Sequence, residues 1–302
     1  MQALNAFIHT KYYLLFPLVA AMLYAMGTIA LKASSDRGAD RGRTTFFCNF
    51  MLAVGFLLFY EWTSFPSLPQ PLWPMVALAV LFVLGQIFTI LALTSGDVSS
   101  VTPVFGVKAV FVGFIAAYVI GAAVDALTWV AAVCSVAGIA LLQAHDRKGV
   151  ARQQITAILY AFLAALTFAG FDSMTQYWSP IIGFGRLVPP AMVLGAVISL
   201  VLVPRRREHM YGVPLQALPY LVVGASLFAV QSIALISAIG YFGDAAGANV
   251  IYSSRGLWGI VFVWMIGARF GNTELDGSSP RVVLARLAGA ALVTVSTILI
   301  FI

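Results

Sequence analysis

Apolar positions fall in ten long blocks, near residues 12–32, 44–61, 72–95, 98–121, 126–144, 154–177, 183–203, 215–240, 246–268 and 283–302. Polar residues and prolines gather between them, at Lys32 to Arg43, Phe65 to Pro74, His145 to Arg152, Pro204 to His209 and Gly271 to Arg281. About 20 consecutive apolar residues cross a hydrocarbon layer as a helix. A chain inside that layer must satisfy its own backbone, so it forms helices or a closed barrel. Barrel strands alternate in polarity over about 10 residues; these blocks are longer and continuously apolar, which predicts helices. The expected fold class is an all-α membrane protein of ten transmembrane helices, with connections too short for a soluble domain. The first block follows Lys11 and lacks a small-residue cleavage site, so it reads as a mature helix.

Composition sharpens this picture. Hydrophobic residues make up 61% of the 302-residue chain and charged residues 9%, with a mean hydropathy of +0.97. A soluble domain carries roughly 25% charged residues. The net charge of +6 comes from cations near the helix ends, where anionic lipid and topology explain them; nucleic acid is not an expected partner. Cys48 and Cys134 lie inside apolar blocks, and His9, His145 and His209 are scattered. No metal spacing results, and no cofactor is expected. With no clustered nucleophile and base, an enzyme is not expected. A carrier of a small polar solute is the expected function, with a channel or lipid-scrambling protein as the alternative. The expected location is a cell (inner) membrane, crossed many times.

The two halves resemble each other. Gln86 followed by Gly96-Asp97 and Lys108 reads against Gln231 followed by Gly243-Asp244 and Arg255. In each, the cation follows the aspartate by eleven residues, and an aliphatic-aromatic pair, Val104-Phe105 or Ile251-Tyr252, sits at the same offset. The stretch from Ala20 to Ala25 reads against Ala164 to Ala169. Residues 1–147 and 148–302 are thus expected to be two repeats of five helices. An odd number of crossings inverts the second repeat, a plan that places a solute site between the halves near the midplane. Apart from Lys108 and Arg255, only Lys11 and Arg186 fall on the side of the termini. The charge rule therefore puts the termini outside the cytoplasm.

The stretch from Ala92 to Gln143, with Pro103 opening the fourth block, and the stretch from Ala248 to Trp258 resemble the EamA-like members of the drug/metabolite transporter superfamily. That resemblance implies a ten-helix bundle with a central cavity, uptake or export of metabolites, and no catalytic cofactor. It also implies cytoplasmic termini, against the charge rule. The chain departs from the family pattern where Ala122 and Ala268 follow Gly121 and Gly267 in place of glutamate, and where Val250 stands opposite Pro103.

Lys108 and Arg255 sit mid-block, where a charge costs about 2.5–3.5 kcal/mol on insertion scales. Too deep to reach either interface, they must face protein or a water-filled cavity. Two readings stay open: they bind an anionic group of the solute, as buried cations do in the related sugar-phosphate translocators, or they are paired within the protein. Asp172 is the carboxylate well inside a block. It is a candidate for proton or ion coupling, or else the partner of Lys108, Lys32 or Arg186. Gln86, Gln231, Tyr24, Thr28, Asn249 and Tyr252 complete the expected solute-binding set. Tyr24 and Thr28 are spaced i, i+4, and Asn249, Tyr252 and Arg255 are spaced i, i+3, i+6, as cavity-lining stripes are. Trp258 could stack on the Arg255 guanidinium. Ala131, Ser135, Gly138, Ala285 and Gly289 permit close helix packing, within the bundle or in a homodimer.

Overall fold

A computed structural model describes residues 11–64, 70–95, 104–142, 152–203, 213–266 and 280–301. The Gly96-Asp97 pair, Pro103, the cationic connections around residues 145–151 and 204–209, and the Gly267-Ala268 pair lie outside those residues. Among the described residues the chain is all helical. A 3₁₀ turn, Tyr12–Leu14, leads into α1 (Leu15–Ser35); α2 (Arg41–Leu57), α3 (Trp73–Ser95), α4 (Lys108–Ile115) and α5 (Ala126–Leu142) follow. The second half holds α6 (Arg152–Ile182), α7 (Phe184–Ile198), α8 (Leu218–Phe242), α9 (Ala245–Tyr252), α10 (Arg255–Ile266) and α11 (Pro280–Phe301). All ten expected blocks are therefore helical, the ninth in two pieces. Six helices are long and apolar enough to cross a membrane by themselves.

The sixth block runs further than expected, to Ile182 through Pro180. A proline costs one backbone bond, and the helix continues until Gly183, whose φ of 96° turns the chain into α7. Helix α4 closes with a π-turn, Ala116–Ile120, and Gly121 at φ 75°. Asp125 then caps α5, its Oδ1 accepting from Thr128 N at 2.6 Å.

Large apolar side chains such as Leu58, Tyr118, Val119 and Ile155 are exposed on the outside of the bundle, as a hydrocarbon surrounding permits. Inside, small residues set the approach of the long helices. Helix α1 lies along α8, α3 along α6 and α5 along α11. A Cβ on Gly289 would stand 2.6 Å from Gly138 O, and one on Gly138 would stand 2.9 Å from Gly289 O. The expected small-residue seam thus joins α5 and α11 of the same chain. Gly27 faces Phe228, Gly224 faces Leu31, and Gly85 faces Phe168. Helix α2 packs on α7, and α4 on α9.

A charged cluster between two interrupted helices

The fourth and ninth blocks both tighten just before their cation. In the fourth, Val107 N bonds to Val104 O and Val110 N to Val107 O, so Lys108 opens α4 after an i→i+3 turn. In the ninth, Ser254 N bonds to Ile251 O and Leu257 N to Ser254 O, so Arg255 opens α10 in the same way. The Ser253 hydroxyl donates back to Asn249 O at 2.8 Å, a competition with the backbone that bends helices. Short tight turns inside a helix are frequent hinge sites.

The two cations meet different partners. Lys108 Nζ lies 2.7 Å from Asp172 Oδ2, with side chains 13% and 3% exposed. Asn249 Nδ2 donates to the same Oδ2 at 2.6 Å and to Ala245 O at 2.9 Å. This is the ion-pair alternative for Asp172, with α4, α6 and α9 joined at one oxygen. The Phe168 ring is 5.7 Å from Lys108 Nζ.

Arg255 is half-buried and has no carboxylate partner among the described residues. Its guanidinium carbon stands 4.5 Å from the Tyr252 ring centroid and 5.3 Å from that of Tyr24. The two rings meet edge to face at 5.9 Å, and Tyr252 Oη donates to Gln231 Oε1 at 2.9 Å. Cation–π contacts supply about 0.5–2 kcal/mol, less than a guanidinium loses on leaving water. Ser254 Oγ and Trp258 Nε1 beside it are buried without a partner. Trp258 stacks on Phe262 rather than on the guanidinium. Asn249 on Asp172 and Tyr252 on Arg255 lie one turn apart on α9, which links the two cations.

Of the expected solute-binding residues, the structure thus gathers Lys108, Arg255, Asn249, Tyr252, Gln231 and Tyr24 around Asp172. Two stand apart. Gln86 exchanges a reciprocal pair of hydrogen bonds with Asn49, at 2.8 and 2.6 Å, and Thr28 donates to Ala25 O of its own helix. Phe168, Ser254 and the α9 cap escaped the sequence reading. Gly243 ends α8 at φ 70°; Asp244 then caps α9 through Gly247 N and accepts from Tyr13 Oη at 2.7 Å. The Gly243-Asp244 pair was the available signal, because glycine ends a helix and aspartate starts one.

A cavity of about 370 Å³ opens on the side of the N-terminal turn, lined by Lys11, Tyr13, Asp125, Thr128, Gln176 and Asp244 among others. Gln176 is one helical turn along α6 from Asp172, and its Oε1 accepts from Ala245 N. The cavity's lining thus comes within one turn of Asp172 along α6.

No curated protein matches the chain. A solved structure, described only as "Crystal structure of protein", shares the fold with a TM-score of 0.71 at 14% identity, covering 96% of this chain and 97% of that one. Residues 11–143 match the EamA-like transporter family. The likeness to the EamA-like transporters is thus carried by the first half of the chain, and the likeness in fold extends over nearly all of it.

Proposed function

We propose that the protein is a secondary transporter that moves a small polar metabolite bearing an anionic group, by alternating access of two inverted five-helix repeats, residues 1–147 and 148–302. The reciprocal packing supports the repeat. Helix α1 pairs with α8 and α6 with α3, as a two-fold relation between the halves requires. Tyr24 of the first half stands over Arg255 of the second, and Phe168 of the second over Lys108 of the first. The tight turns before Lys108 and Arg255 supply a hinge in each half, beside the central cluster.

The observation that carries the anionic reading is a broken symmetry. In the register that sets Tyr24 against Phe168, Thr28 stands against Asp172. Lys108 is bonded to a carboxylate, and the position that this register sets against that carboxylate in the first half is a threonine. The cluster of Lys108, Asp172 and Arg255 keeps one uncompensated positive charge. Guanidinium holds a carboxylate or phosphate through two parallel hydrogen bonds, and an anion there neutralises the cluster.

The test supplies the missing carboxylate. Thermal unfolding of the purified protein is followed with a panel of anionic, cationic and neutral metabolites, on wild type, Arg255→Gln and Thr28→Asp. A solute at 100 times its Kd stabilises by about 2.7 kcal/mol. Anionic solutes are expected to stabilise wild type and to lose that effect in both variants. Neutral or cationic solutes that stabilise all three proteins equally would assign Arg255 a packing role and remove the anionic reading. Absence of any stabilisation would favour a channel or lipid-scrambling protein.

A further inference from the structure

Helix α9 is a short rod with a joint at each end. Its residues, Ala245 to Tyr252, are all buried. At one end Gly243 turns the chain at φ 70°. At the other the chain tightens at Ser253-Ser254 before Arg255. The inner end of the rod carries Asn249 and Tyr252, which touch Asp172 and Arg255. The outer end lines the cavity through Asp244 and Ala246. A tilt of the rod at the mouth is therefore felt at the charged cluster.

Asp244 divides its carboxylate between two tasks. Oδ1 accepts from Gly247 N at 2.8 Å and caps α9. Oδ2 accepts from Tyr13 Oη at 2.7 Å, a bond strengthened by the charge on the acceptor. A Cβ on Gly247 would run into this carboxylate, so the glycine keeps room for the cap. One oxygen holds the rod together and the other ties it to the N-terminal turn. The tie can open while the cap, and with it the helix, stays whole.

Tyr13 is a fixed post for that tie. Its ring stacks on Phe242 at 4.9 Å, Leu14 beside it is fully buried, and Lys11 Nζ donates to Ile300 O at 3.0 Å. At the far end of α1, about 30 Å along its axis, the bundle is shut. Ser34 is fully buried there and donates to Ala217 O, and Arg37 lies 4.0 Å over the Tyr220 ring. The Tyr13–Asp244 bond thus accompanies an arrangement with a cavity on the side of the N-terminal turn and a seal at the other end.

We propose that Tyr13 and Asp244 form a latch that holds α9 in this arrangement. Its release lets α9 swing on the Ser253-Ser254 turn, which closes the mouth as the seam between α1 and α8 unseals. The proposal rests on the alternating-access reading. It places the control of that exchange outside the charged cluster, on a single hydrogen bond between the two halves.

The test labels single cysteines with a membrane-impermeant maleimide, in the full chain held in lipid nanodiscs, on a background of Cys48→Ala and Cys134→Ala. Ala123→Cys reports the mouth, since Ala123 lines the cavity, and Ser34→Cys reports the sealed end. Tyr13→Phe keeps the ring on Phe242 and removes only the hydroxyl. It is expected to speed labelling at position 34 roughly tenfold, a difference of about 1.4 kcal/mol, and to slow it at position 123. Asp244→Asn keeps an oxygen for Gly247 N and removes the charge. It is expected to shift both rates in the same directions by a smaller factor, and it reads the latch should Tyr13→Phe not fold. Rates unchanged in both variants, or rates that rise together at both positions, overturn the latch and make Tyr13 a packing residue. Alternating access survives either result so long as the wild type labels fast at position 123 and slowly at position 34. Fast labelling at both positions in the wild type sinks the latch and alternating access together.

Discussion

Replacing Lys108 by methionine removes one member of a buried ion pair and strands the other. The pair is closed at 2.7 Å, and the Asp172 side chain is 3% exposed, so bulk water does not take over the lysine's role. Asn249 remains as a donor, but it is neutral. Truncating one partner of such a pair costs about 3–5 kcal/mol, whereas replacing both with apolar groups of similar volume is neutral or stabilising. At roughly 2 °C per kcal/mol for a chain of this size, Lys108→Met should lower Tm by about 6–10 °C. Asp172→Leu should do the same by stranding the lysine. The double variant Lys108→Met/Asp172→Leu should return to within about 1 kcal/mol of wild type, because Asn249 keeps its second bond to Ala245 O. Thermal unfolding of the four proteins in one detergent closes the cycle. Two results would refute the reasoning: Lys108→Met unfolding at the wild-type temperature, or single effects that simply add in the double variant. On the proposed reading, the double variant should also keep the Arg255 contact, so anions should still bind to it.

The seam between α5 and α11 predicts that Gly289→Leu fails where Ala285→Leu is tolerated better; overpacking costs about 1–3 kcal/mol, and backbone-to-backbone contact at Gly138 leaves no side chain free to yield. A Gly289→Leu protein that matches wild type in thermal unfolding and elution volume would show that the helices do not touch there. At the mouth of the cavity, hydrogen bonds from the Thr128 side chain and backbone hold the Asp125 carboxyl below its ordinary value. A depressed carboxylate stabilises the fold when ionised, so the stability gap between wild type and Asp125→Asn should be full at neutral pH. It should close only as pH falls below about 4, through the folded value; a gap that widens on acidification would contradict the Thr128 cap.

Helix number and helix type were legible because hydrocarbon imposes a length and a polarity on each crossing. Interruptions inside the helices were not. The turn at Ser253-Ser254 arises when the Ser253 hydroxyl bonds to Asn249 O, and serine in an apolar block satisfies a backbone carbonyl in many helices without breaking them. The sixth helix runs past Trp178-Ser179-Pro180 because Gly183, not the proline, supplies the left-handed turn that ends it. At the site, rarity of residue type was the useful signal. Lys108, Arg255 and Asp172 stood out as charges inside apolar blocks, and they meet in the fold. Their pairing was open, since Lys108 and Asp172 are far apart in the chain and no periodicity joins them. Gln86 and Gln231 matched by position and still took different partners, Asn49 and Tyr252. Position in a repeat sets where a side chain stands, and its neighbours on other helices decide what it bonds.

Under the proposed two-repeat plan, that distinction explains how the halves can build one asymmetric site. Two repeats with identical charges would place two equivalent cations at their shared axis, which suits a symmetric dianion or nothing. Here the aromatic and cationic positions are kept in both halves, Tyr24 over Arg255 and Phe168 over Lys108, while the carboxylate stands in one half and Thr28 in the other. The proposed two-fold plan tolerates this, because helix packing depends on small residues and ring positions. The charge pattern is free to be one-sided, because a single residue on α6 sets it. The Asp172 carboxylate and the Arg255 guanidinium then contact α9 one turn apart, at Asn249 and at Tyr252. Moving the carboxylate from Asp172 to position 28 would reverse that polarity without disturbing the helices that carry it.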